Sequence, residues 1–226
     1  AIMSNLAAST RYYYKLDGDE ATNSFTTAPD ALTVSSVLPQ KFIIVGDMGT
    51  SSPPGSPMVS RSVLPWITNE VDNNRVDMIL HLGDLGYRLS SGNRGKRFMN
   101  DISQSSRKVP YMVNVGNHEC EYNFAYYNQF FRNMPAPATV SKVNTGDSDT
   151  PNNWFYSWDV GYVHFVTLAT EVYVPNSNPC SNQPSATQAA LVKLKAQQYD
   201  WLKNDLEVAN NNRASVPWIV VNAHRG

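Results

Sequence analysis

The stretch VDMILHLGDLGY, from Val76 to Tyr87, decides the fold. Its first half is an apolar run that predicts a buried strand, and this run stops at Gly83. Asp84 follows directly, and Tyr87 comes three residues later. Ligands of open α/β sheets bind at the carboxyl ends of the strands. We therefore interpret Asp84 as a strand-end carboxylate at a binding site, although a single Gly-Asp pair after a strand is more often an ordinary turn.

The same arrangement recurs at three other points of the chain. Each time an apolar run ends in an oxygen or nitrogen donor: FIIVGD at 42–47, VPYMVNVGNH at 109–118 and WIVVNAH at 218–224. Buried strands that end in this way deliver their donors to one edge of a sheet. We interpret the convergence as a metal site, whose candidate ligands are Asp47, Asp84, Tyr87, Asn117 and His224.

Composition narrows the function class. The chain has 226 residues, of which 42% are hydrophobic, enough for one core and part of a second domain. A formal net charge of −1 gives no basic surface for nucleic acid or an anionic membrane. No apolar run approaches the roughly 20 residues of a membrane span. Two cysteines are too few for a disulfide-rich scaffold or a cysteine-based zinc site.

The first 28 or so residues differ in pattern from the rest. Alternating apolar residues from Leu6 to Leu16 predict a half-exposed strand, and 25–27 a return strand after a turn at 17–19. The spacing Leu6-x-x-x-Thr10-x-Tyr12 resembles the tyrosine corner of fibronectin type III modules, and an ordinary exposed hairpin explains it equally well. The residues from Ala28 to Pro39 predict a linker.

From Lys41 onward, strands alternate with helices, which predicts a layered α/β domain. In the helix predicted over 59–71, Pro65 should mark either a kink or a position near the start. Apolar runs on both sides of Asp159-Val160-Gly161 predict a hairpin that turns at these residues. Three further helices are predicted at 98–106, 124–131 and 188–210.

The candidate ligands offer hard oxygen donors and one imidazole, a set that suits iron, zinc or manganese, and a phenolate favours Fe(III). Asp84, on the middle strand, is placed to bridge two ions, and two-metal sites are the usual device for phosphoryl transfer. Taken singly, each residue has an ordinary alternative. The two aspartates could cap the segments that follow them, and Tyr87 could be an ordinary packed aromatic residue. Asn117 could be a turn residue, and His224 could be a hydrogen-bonded histidine in a loop. Four strand-end donors in sequence order make these alternatives a poor explanation of the whole set.

The other histidines fall into two groups. His81 and His164 lie within predicted strands between apolar neighbours, and we interpret both as hydrogen-bonded core residues. His118 follows the candidate ligand Asn117 and needs no metal of its own. It is the candidate catalytic residue, with a role in donating a proton to a leaving alkoxide or in holding a phosphate oxygen.

These motifs resemble the metallophosphoesterase superfamily and, within it, the purple acid phosphatases. The pattern of that family is D-x-G, G-D-x-x-Y, G-N-H-[DE], V-x-x-H and G-H-x-H. The first four parts are matched in order by Asp47-Met48-Gly49, Gly83–Tyr87, Gly116–Glu119 and Val221–His224, so the resemblance covers nearly the whole chain. It implies a layered metallophosphoesterase-type β-sandwich flanked by helices over 39–226. Residues 1–38 would then be the end of a fibronectin III-like domain with its linker.

The resemblance also implies a role for each ligand. Asp47 and Tyr87 would bind Fe(III), Asp84 would bridge both ions, and Asn117 and His224 would bind a divalent partner that is zinc, manganese or iron. The superfamily's protein phosphatases and nucleotidases usually carry a metal-binding histidine two residues after the first aspartate. This chain has glycine there, so that Tyr87 would supply the missing donor, while His118 would act beside the substrate.

The implied activity is hydrolysis of phosphate monoesters at acidic pH, with a metal-bound hydroxide as nucleophile. The partner would be a small-molecule phosphate ester, without nucleic acid or membrane, in a secreted, vacuolar or lysosomal location. The oligomeric state stays open, a homo-oligomer included. Two alternatives also stay open. One is a phosphodiesterase or nucleotide pyrophosphatase of the same superfamily, and the other is a non-catalytic binding protein with a degenerate site.

The G-H-x-H motif, which would add one histidine to each metal, is not found in the sequence. We therefore interpret the chain as a fragment of a longer enzyme and expect that these 226 residues alone do not hold a competent dinuclear centre. A disulfide between Cys120 and Cys180 is a further hypothesis, with two free thiols as its alternative.

Overall fold

The computed structural model describes residues 3–18, 20–30, 39–50, 60–144, 149–174 and 185–226. Strands and helices alternate through most of this part of the chain, as predicted. In chain order the elements are β1 (Arg11–Tyr14), β2 (Asn23–Thr26), β3 (Phe42–Val45), α1 (Ser60–Asp72), β4 (Met78–His81), α2 (Arg94–Ser106), β5 (Tyr111–Val113), α3 (Glu121–Phe130), β6 (Lys142–Asn144), β7 (Asp149–Pro151), β8 (Tyr156–Val160), β9 (Val163–Leu168), α4 (Ser185–Asn211) and β10 (Trp218–Ala223).

A three-stranded parallel sheet carries three of the four predicted strand ends. Its order is β3-β4-β5, with Ile43 paired to Ile79 and Leu80 paired to Met112. All four residues of β4 are buried, because this middle strand is covered on both faces. This burial on both faces explains why the residues before Gly83 are mainly apolar.

The second sheet has the order β10-β9-β8 and supplies the fourth strand end. Strands β8 and β9 form an antiparallel hairpin, and the long helix α4 leads back to β10, which pairs with β9 in parallel. The predicted turn at Asp159-Val160-Gly161 is wrong in its position. Val160 pairs with Val163, so the two-residue turn is Gly161-Tyr162, where Gly161 supplies the positive φ of 57°.

The two larger sheets pack face to face and form a sandwich. Met78 and Leu80 of β4 share a buried cluster with Val160 of β8 and Phe165 of β9. The rings of Phe165 and Phe42 meet edge to face, with centroids 5.1 Å apart. On the other face of β4, Ile79 belongs to a larger cluster that includes Ile67 and Val71 of α1 and Phe98 and Ile102 of α2. The predicted layered α/β sandwich with flanking helices is thereby confirmed.

The helix boundaries lie within four residues of the predicted ones. Helix α1 spans Ser60–Asp72 with Pro65 inside it, so that of the two alternatives for Pro65 the helix start is wrong. Helix α3 is assigned to Glu121–Phe130, but its residues 122–124 have left-handed, non-helical backbone angles with φ of 50–63°, so that the regular helix begins after Phe124, close to the predicted start. Phe124 is fully buried there, with its ring 4.5 Å from that of Trp154. The ring contact lies at the left-handed turn that precedes the regular part of the helix.

The amino-terminal hairpin forms as predicted. Strands β1 and β2 are antiparallel, with Tyr12 opposite Phe25. The Tyr12 hydroxyl accepts a hydrogen bond from the Ala7 N–H at 2.8 Å, the kind of backbone contact that defines a tyrosine corner. The Gly161 N–H donates to the Pro29 carbonyl at 3.0 Å and so joins the segment after β2 to the hairpin of the second sheet. Residues 31–38 of the predicted linker lie outside the described residues.

The two strand histidines have different surroundings. His81 is fully buried, its Nδ1 lies 2.9 Å from the Tyr111 hydroxyl, and burial lowers its pKa to about 3, in keeping with a neutral core residue. His164 is not a core residue of that kind. Its ring lies between two carboxylates, with Nδ1 2.6 Å from Asp159 and Nε2 3.0 Å from Asp205 of α4. These contacts tie the β8–β9 hairpin to α4.

The bridge through His164 makes stability depend on pH. The hydrogen bond to Asp205 raises the pKa of His164, Asp159 adds to this, and burial opposes both. Because the pKa of His164 is raised in the folded state, the bridge stabilises the fold fully at pH values below the ordinary histidine pKa of about 6.5. This stabilisation disappears as the pH rises through the pKa of the folded state. We expect His164→Gln to lower the free energy of unfolding by about 1–2 kcal/mol at pH 5 and by much less at pH 8.

Chemical denaturation of the His164→Gln variant at both pH values checks this expectation. Asp159→Asn, which removes the more exposed of the two carboxylate partners, should lower the pH dependence only in part. An equal loss of stability at pH 5 and pH 8 would contradict the charged bridge.

No helix among the described residues combines the length and the apolar character needed to cross a membrane.

Candidate metal centre

The predicted strand ends converge at one edge of the sandwich. The β3–β4 ladder continues past the strands, since Leu82 N–H donates to the Val45 carbonyl at 2.7 Å and Asp47 N–H donates to the Gly83 carbonyl at 3.2 Å. The loops that follow β3 and β4 therefore leave the sheet side by side. They carry Asp47 and Asp84 to the same place, as parallel neighbours must.

Asp47, Asp84 and His224 form a group that fits a metal ion. One ligand atom from each side chain lies within 4.8 Å of the other two. Asp84 is buried with only 3% of its surface exposed, whereas Asp47 lies at the open side. Two carboxylates and an imidazole at this separation are a ligand set for iron, zinc or manganese.

His224 is oriented by a backbone carbonyl. Its Nδ1 lies 2.7 Å from the Leu82 oxygen, so that this nitrogen is the donor and the neutral ring presents Nε2 as an acceptor. Nε2 in turn faces two more acceptors, Asp84 Oδ1 at 3.3 Å and Asn117 Oδ1 at 3.1 Å. Three lone-pair-bearing atoms that face one another repel unless a proton or a cation lies among them. The arrangement therefore fits a metal ion.

Tyr87 joins the group through Asp47. Its hydroxyl donates a hydrogen bond of 3.0 Å to Asp47 Oδ1. Burial, this hydrogen bond and the charges of Asp84, Asp47 and Glu119 all raise the pKa of Tyr87, so the phenol keeps its proton when no cation is present. Only a strongly polarising ion converts such a phenol to a bound phenolate.

Three candidate ligands have a left-handed backbone. The φ angles of Asp47, Asp84 and Tyr87 are 53°, 50° and 46°. This region is unfavourable for residues other than glycine, by roughly 1–3 kcal/mol each, and such residues gather at functional sites. The strain is retained because the surrounding hydrogen bonds hold both loops, for example Gly49 N–H to the Leu85 carbonyl at 2.8 Å.

His118 lies at the rim of the group. Its backbone N–H donates to Asp84 Oδ1 at 3.0 Å, while its ring packs against Tyr87 with centroids 4.6 Å apart. The side chain is 38% exposed, and its Nε2 lies 3.8 Å from Asp84 Oδ2. The imidazole is therefore beside the donors and open to solvent, which suits contact with a substrate.

The candidate donors thus form one connected set. Tyr87 contacts Asp47, and Asn117 contacts His224, while Asp47, Asp84 and His224 lie within 4.8 Å of one another. The structure brings together all five candidate ligands and His118, and Asp84 is the member that both His118 and His224 approach.

Glu119 is a part of this site that the sequence reasoning missed. Its carboxylate is buried, with 3% of the residue exposed, and accepts backbone N–H bonds from Asp84, Leu85 and Gly116, each 2.9 Å long. Burial and the nearby Asp84 charge raise the pKa of Glu119, while the hydrogen bonds from the three amides oppose this shift and favour the ionised carboxylate. The only sequence signal was its place as the last letter of the G-N-H-[DE] pattern.

A second missed contact holds the loop after β10. The Arg225 N–H donates to the Thr170 hydroxyl at 3.0 Å, and Arg225 Nε donates to Glu171 Oε1 at 2.7 Å. Burial raises the pKa of Glu171, while Arg225 and His224 oppose the shift. The pair joins the segment that follows His224 to the short turn after β9, and nothing in their spacing along the chain predicts it.

Two glycines allow the loops to approach this closely. A Cβ at Gly83 would lie 2.8 Å from the His224 ring and 2.9 Å from Gly116 Cα. A Cβ at Gly116 would lie 2.3 Å from both the backbone nitrogen and Oδ1 of Asp84. Side chains do not fit at these distances, so glycine at both positions is a condition for the site.

Cys120, next to the 117–119 segment, is buried with 1% exposed, and the described residues contain no free thiol. Cys180, its predicted partner, lies outside the described residues, and the pairing stays a prediction.

The sequence profile of the calcineurin-like phosphoesterase family matches residues 40–226. The chain belongs to this family. Acid phosphatase type 7 of Mus musculus is 33% identical over 187 residues, which are 82% of this chain and 35% of the relative. Purple acid phosphatase 22 of Arabidopsis thaliana is 28% identical over 219 residues, 97% of this chain and 42% of the relative. The resemblance inferred from the four motifs is confirmed: the chain belongs to the metallophosphoesterase family and is of the purple acid phosphatase type.

A solved structure supports the fold. The purple acid phosphatase PPD1 from yellow lupin (Lupinus luteus) seeds superimposes with a TM-score of 0.62 at 20% identity, over 99% of this chain and 38% of that chain. The chain spans between a third and a half of the length of the curated relatives named above.

Proposed function

We propose that this chain carries the metal-binding part of an acid phosphatase that hydrolyses phosphate monoesters with a dinuclear centre. The observation that carries the proposal is the connected set of donors around Asp84. His224 approaches Asp84 Oδ1 to 3.3 Å, and a ligand atom of Asp47 lies within 4.8 Å of both. A buried carboxylate with candidate ligands on two sides is what a shared ligand of two cations requires.

The type of donor atom assigns each candidate ligand to one of the two ions. Asp47 and Tyr87 would hold Fe(III), because the phenol needs a strongly polarising ion to lose its proton. Asn117 and His224 would hold a divalent ion, zinc, manganese or iron, and Asp84 would contact both. When bound, such a pair of ions neutralises the charge of a phosphate group and lowers the pKa of a water molecule.

The chain's own residues prepare this chemistry. The Leu82 carbonyl fixes the tautomer of His224, and the His118 N–H holds one oxygen of Asp84. The exposed imidazole of His118 would donate a proton to the leaving oxygen of the ester or hold a phosphate oxygen. Its packing against Tyr87 sets the ring beside the donors without adding it to them.

Among the residues that the structure describes, each ion would have three candidate ligands: Asp47, Tyr87 and Asp84 for one, and Asp84, Asn117 and His224 for the other. We therefore propose that these 226 residues alone do not hold a competent dinuclear centre. Metal analysis of the isolated chain checks this, and two tightly held ions per chain would contradict it.

We also propose that residues 1–38 are the end of a fibronectin III-like domain with its linker, and that 39–226 are part of the catalytic domain. The β1–β2 hairpin and the contact between the Tyr12 hydroxyl and Ala7 support the first part. A secreted, vacuolar or lysosomal location, with a small phosphate ester as partner, would match an acid phosphatase.

Replacing His118 with alanine is expected to lower kcat by about 10²–10⁴-fold while the metal content stays unchanged. The reason is that the ring lies beside the donors and makes no predicted metal bond. Activity and metal analysis of the full-length variant measure both quantities. Loss of metal together with activity would show that His118 is a ligand and that its assigned role is wrong.

The substrate class is tested by rates on a phosphate monoester and a phosphate diester at acidic pH. We expect the full-length protein to prefer the monoester. A higher kcat/KM on the diester or on a nucleotide pyrophosphate would favour the related activity of the same superfamily. No turnover of either substrate by metal-loaded protein would favour a binding protein.

A further inference from the structure

A single buried carboxylate connects two of the loops that carry candidate ligands. Oε1 of Glu119 accepts from Leu85 N–H, and Oε2 accepts from Asp84 N–H and from Gly116 N–H, all at 2.9 Å. Asp84 and Leu85 belong to the loop after β4, whereas Gly116 belongs to the loop after β5. The carboxylate thus spans the gap between the two loops.

The two loops are also in close steric contact. A Cβ at Gly116 would lie 2.3 Å from Asp84 Oδ1 and 2.9 Å from Glu119 Oε2. The His118 N–H reaches back to Asp84 Oδ1 at 3.0 Å. Because these parts are in contact, a change in the hydrogen bonds of Glu119 would shift the Asp84 carboxylate relative to Asn117 and His118.

We propose that Glu119 is a positioning residue for the metal centre. It sets the distance between Asp84, the shared ligand, and the Asn117–His118 pair, and it contacts neither metal nor substrate. This role rests on the proposed function, since it assumes that Asp84 and Asn117 bind metal.

Chemistry explains why a carboxylate is needed at this position. A carboxylate offers acceptors on both oxygens and can serve three amides at once. Glutamine has almost the same shape, but one of its two terminal groups is a donor that would face a backbone N–H. Glu119→Gln therefore breaks at least one of the three bonds without opening a cavity.

The test compares Glu119→Gln with the wild type in the full-length protein. Zn(II) alone is titrated into metal-free protein by calorimetry, and amide hydrogen exchange is followed in the metal-free state. We expect the Zn(II) affinity of the variant to fall by about 10–100-fold, as when other residues that hydrogen-bond to metal ligands are replaced. We also expect the backbone amides of Asp84, Leu85 and Gly116 to exchange faster.

Asn152→Ala is the matched control. Asn152 is also fully buried and accepts two backbone N–H bonds, from Trp154 and Phe155, in a loop that holds no candidate ligand. It should lower the melting temperature while Zn(II) affinity stays at the wild-type value. If Glu119→Gln does not fold, Glu119→Asp replaces it, because aspartate keeps both oxygens but is too short to reach all three amides.

The outcomes separate the two proposals. A wild-type protein that binds no metal contradicts the proposed function. A wild type that binds Zn(II), with a Glu119 variant of equal affinity and unchanged exchange at residues 84, 85 and 116, overturns only the role of Glu119. A loss of affinity of the same size in Asn152→Ala would also overturn it, because general destabilisation would then explain the effect.

Discussion

Asp84→Asn is expected to remove metal binding and activity from the full-length protein. Loss of a residue that hydrogen-bonds to a metal ligand lowers metal affinity by roughly 10–100-fold. Loss of a ligand that two ions would share should lower the affinity by more than this. Asparagine keeps one oxygen for the His118 N–H but loses the negative charge. Metal analysis and a phosphatase assay on the variant measure the two losses.

The same substitution should leave the metal-free protein at least as stable as the wild type. The Asp84 charge raises the pKa of the buried Glu119 carboxylate, which means that the two groups repel each other in the folded state. Asparagine removes this repulsion. The stability of the metal-free variant therefore distinguishes a metal ligand from a structural residue, because replacing a structural residue would destabilise the protein.

Asp200→Asn is the matched control, since it makes the same chemical change on the exposed face of α4. It should alter neither metal content nor turnover. An Asp84→Asn protein that retains two ions and full activity would contradict the shared-ligand role.

Gly116→Ala is expected to have the second large effect. Its φ of −113° is open to any residue, so the penalty is steric rather than conformational. The new methyl group would lie 2.3 Å from the backbone nitrogen and from Oδ1 of Asp84, and the loop after β4 must move to admit it. We expect a loss of about 1–3 kcal/mol in the free energy of unfolding and at least a tenfold weaker metal affinity.

Gly46→Ala tests whether the effect is local to this contact. A Cβ at Gly46 would meet the Leu82 oxygen at 3.6 Å, an ordinary contact, although Gly46 also directly precedes a candidate ligand. Its stability and metal affinity should stay close to the wild-type values. Equal effects of the two alanines on metal affinity would show that the close approach of Gly116 to Asp84 is not decisive.

The strand ends were predictable because two strong signals coincided there. Each buried strand is an apolar run, and each run stops at a glycine or a polar residue that cannot continue it. Parallel pairing then brings Asp47 and Asp84 together without any knowledge of side-chain contacts. The amino-terminal hairpin and helix α4 were predictable for a similar reason, because the spacing of their apolar residues and the turn residues next to them indicate the same structure.

The remaining features depend on contacts that no local pattern encodes. Glu119 matters through three amides of residues 84, 85 and 116, two of which lie more than thirty positions away. His164 was assigned to the core because its strand neighbours are apolar, whereas Asp205 of α4 approaches it from another element. The hairpin turn was misplaced because Asp159 and Val160 continue strand β8, which only their partners in β9 reveal.

Anomalous diffraction from crystals of the full-length protein, recorded at the absorption edges of iron and zinc, tests the dinuclear site most directly. We predict two ions about 3.5–4 Å apart, both bound by the Asp84 carboxylate, with the Tyr87 oxygen on the iron and His224 Nε2 on its partner. A single ion, or a pair of ions that Asp84 does not touch, would contradict the shared-carboxylate centre.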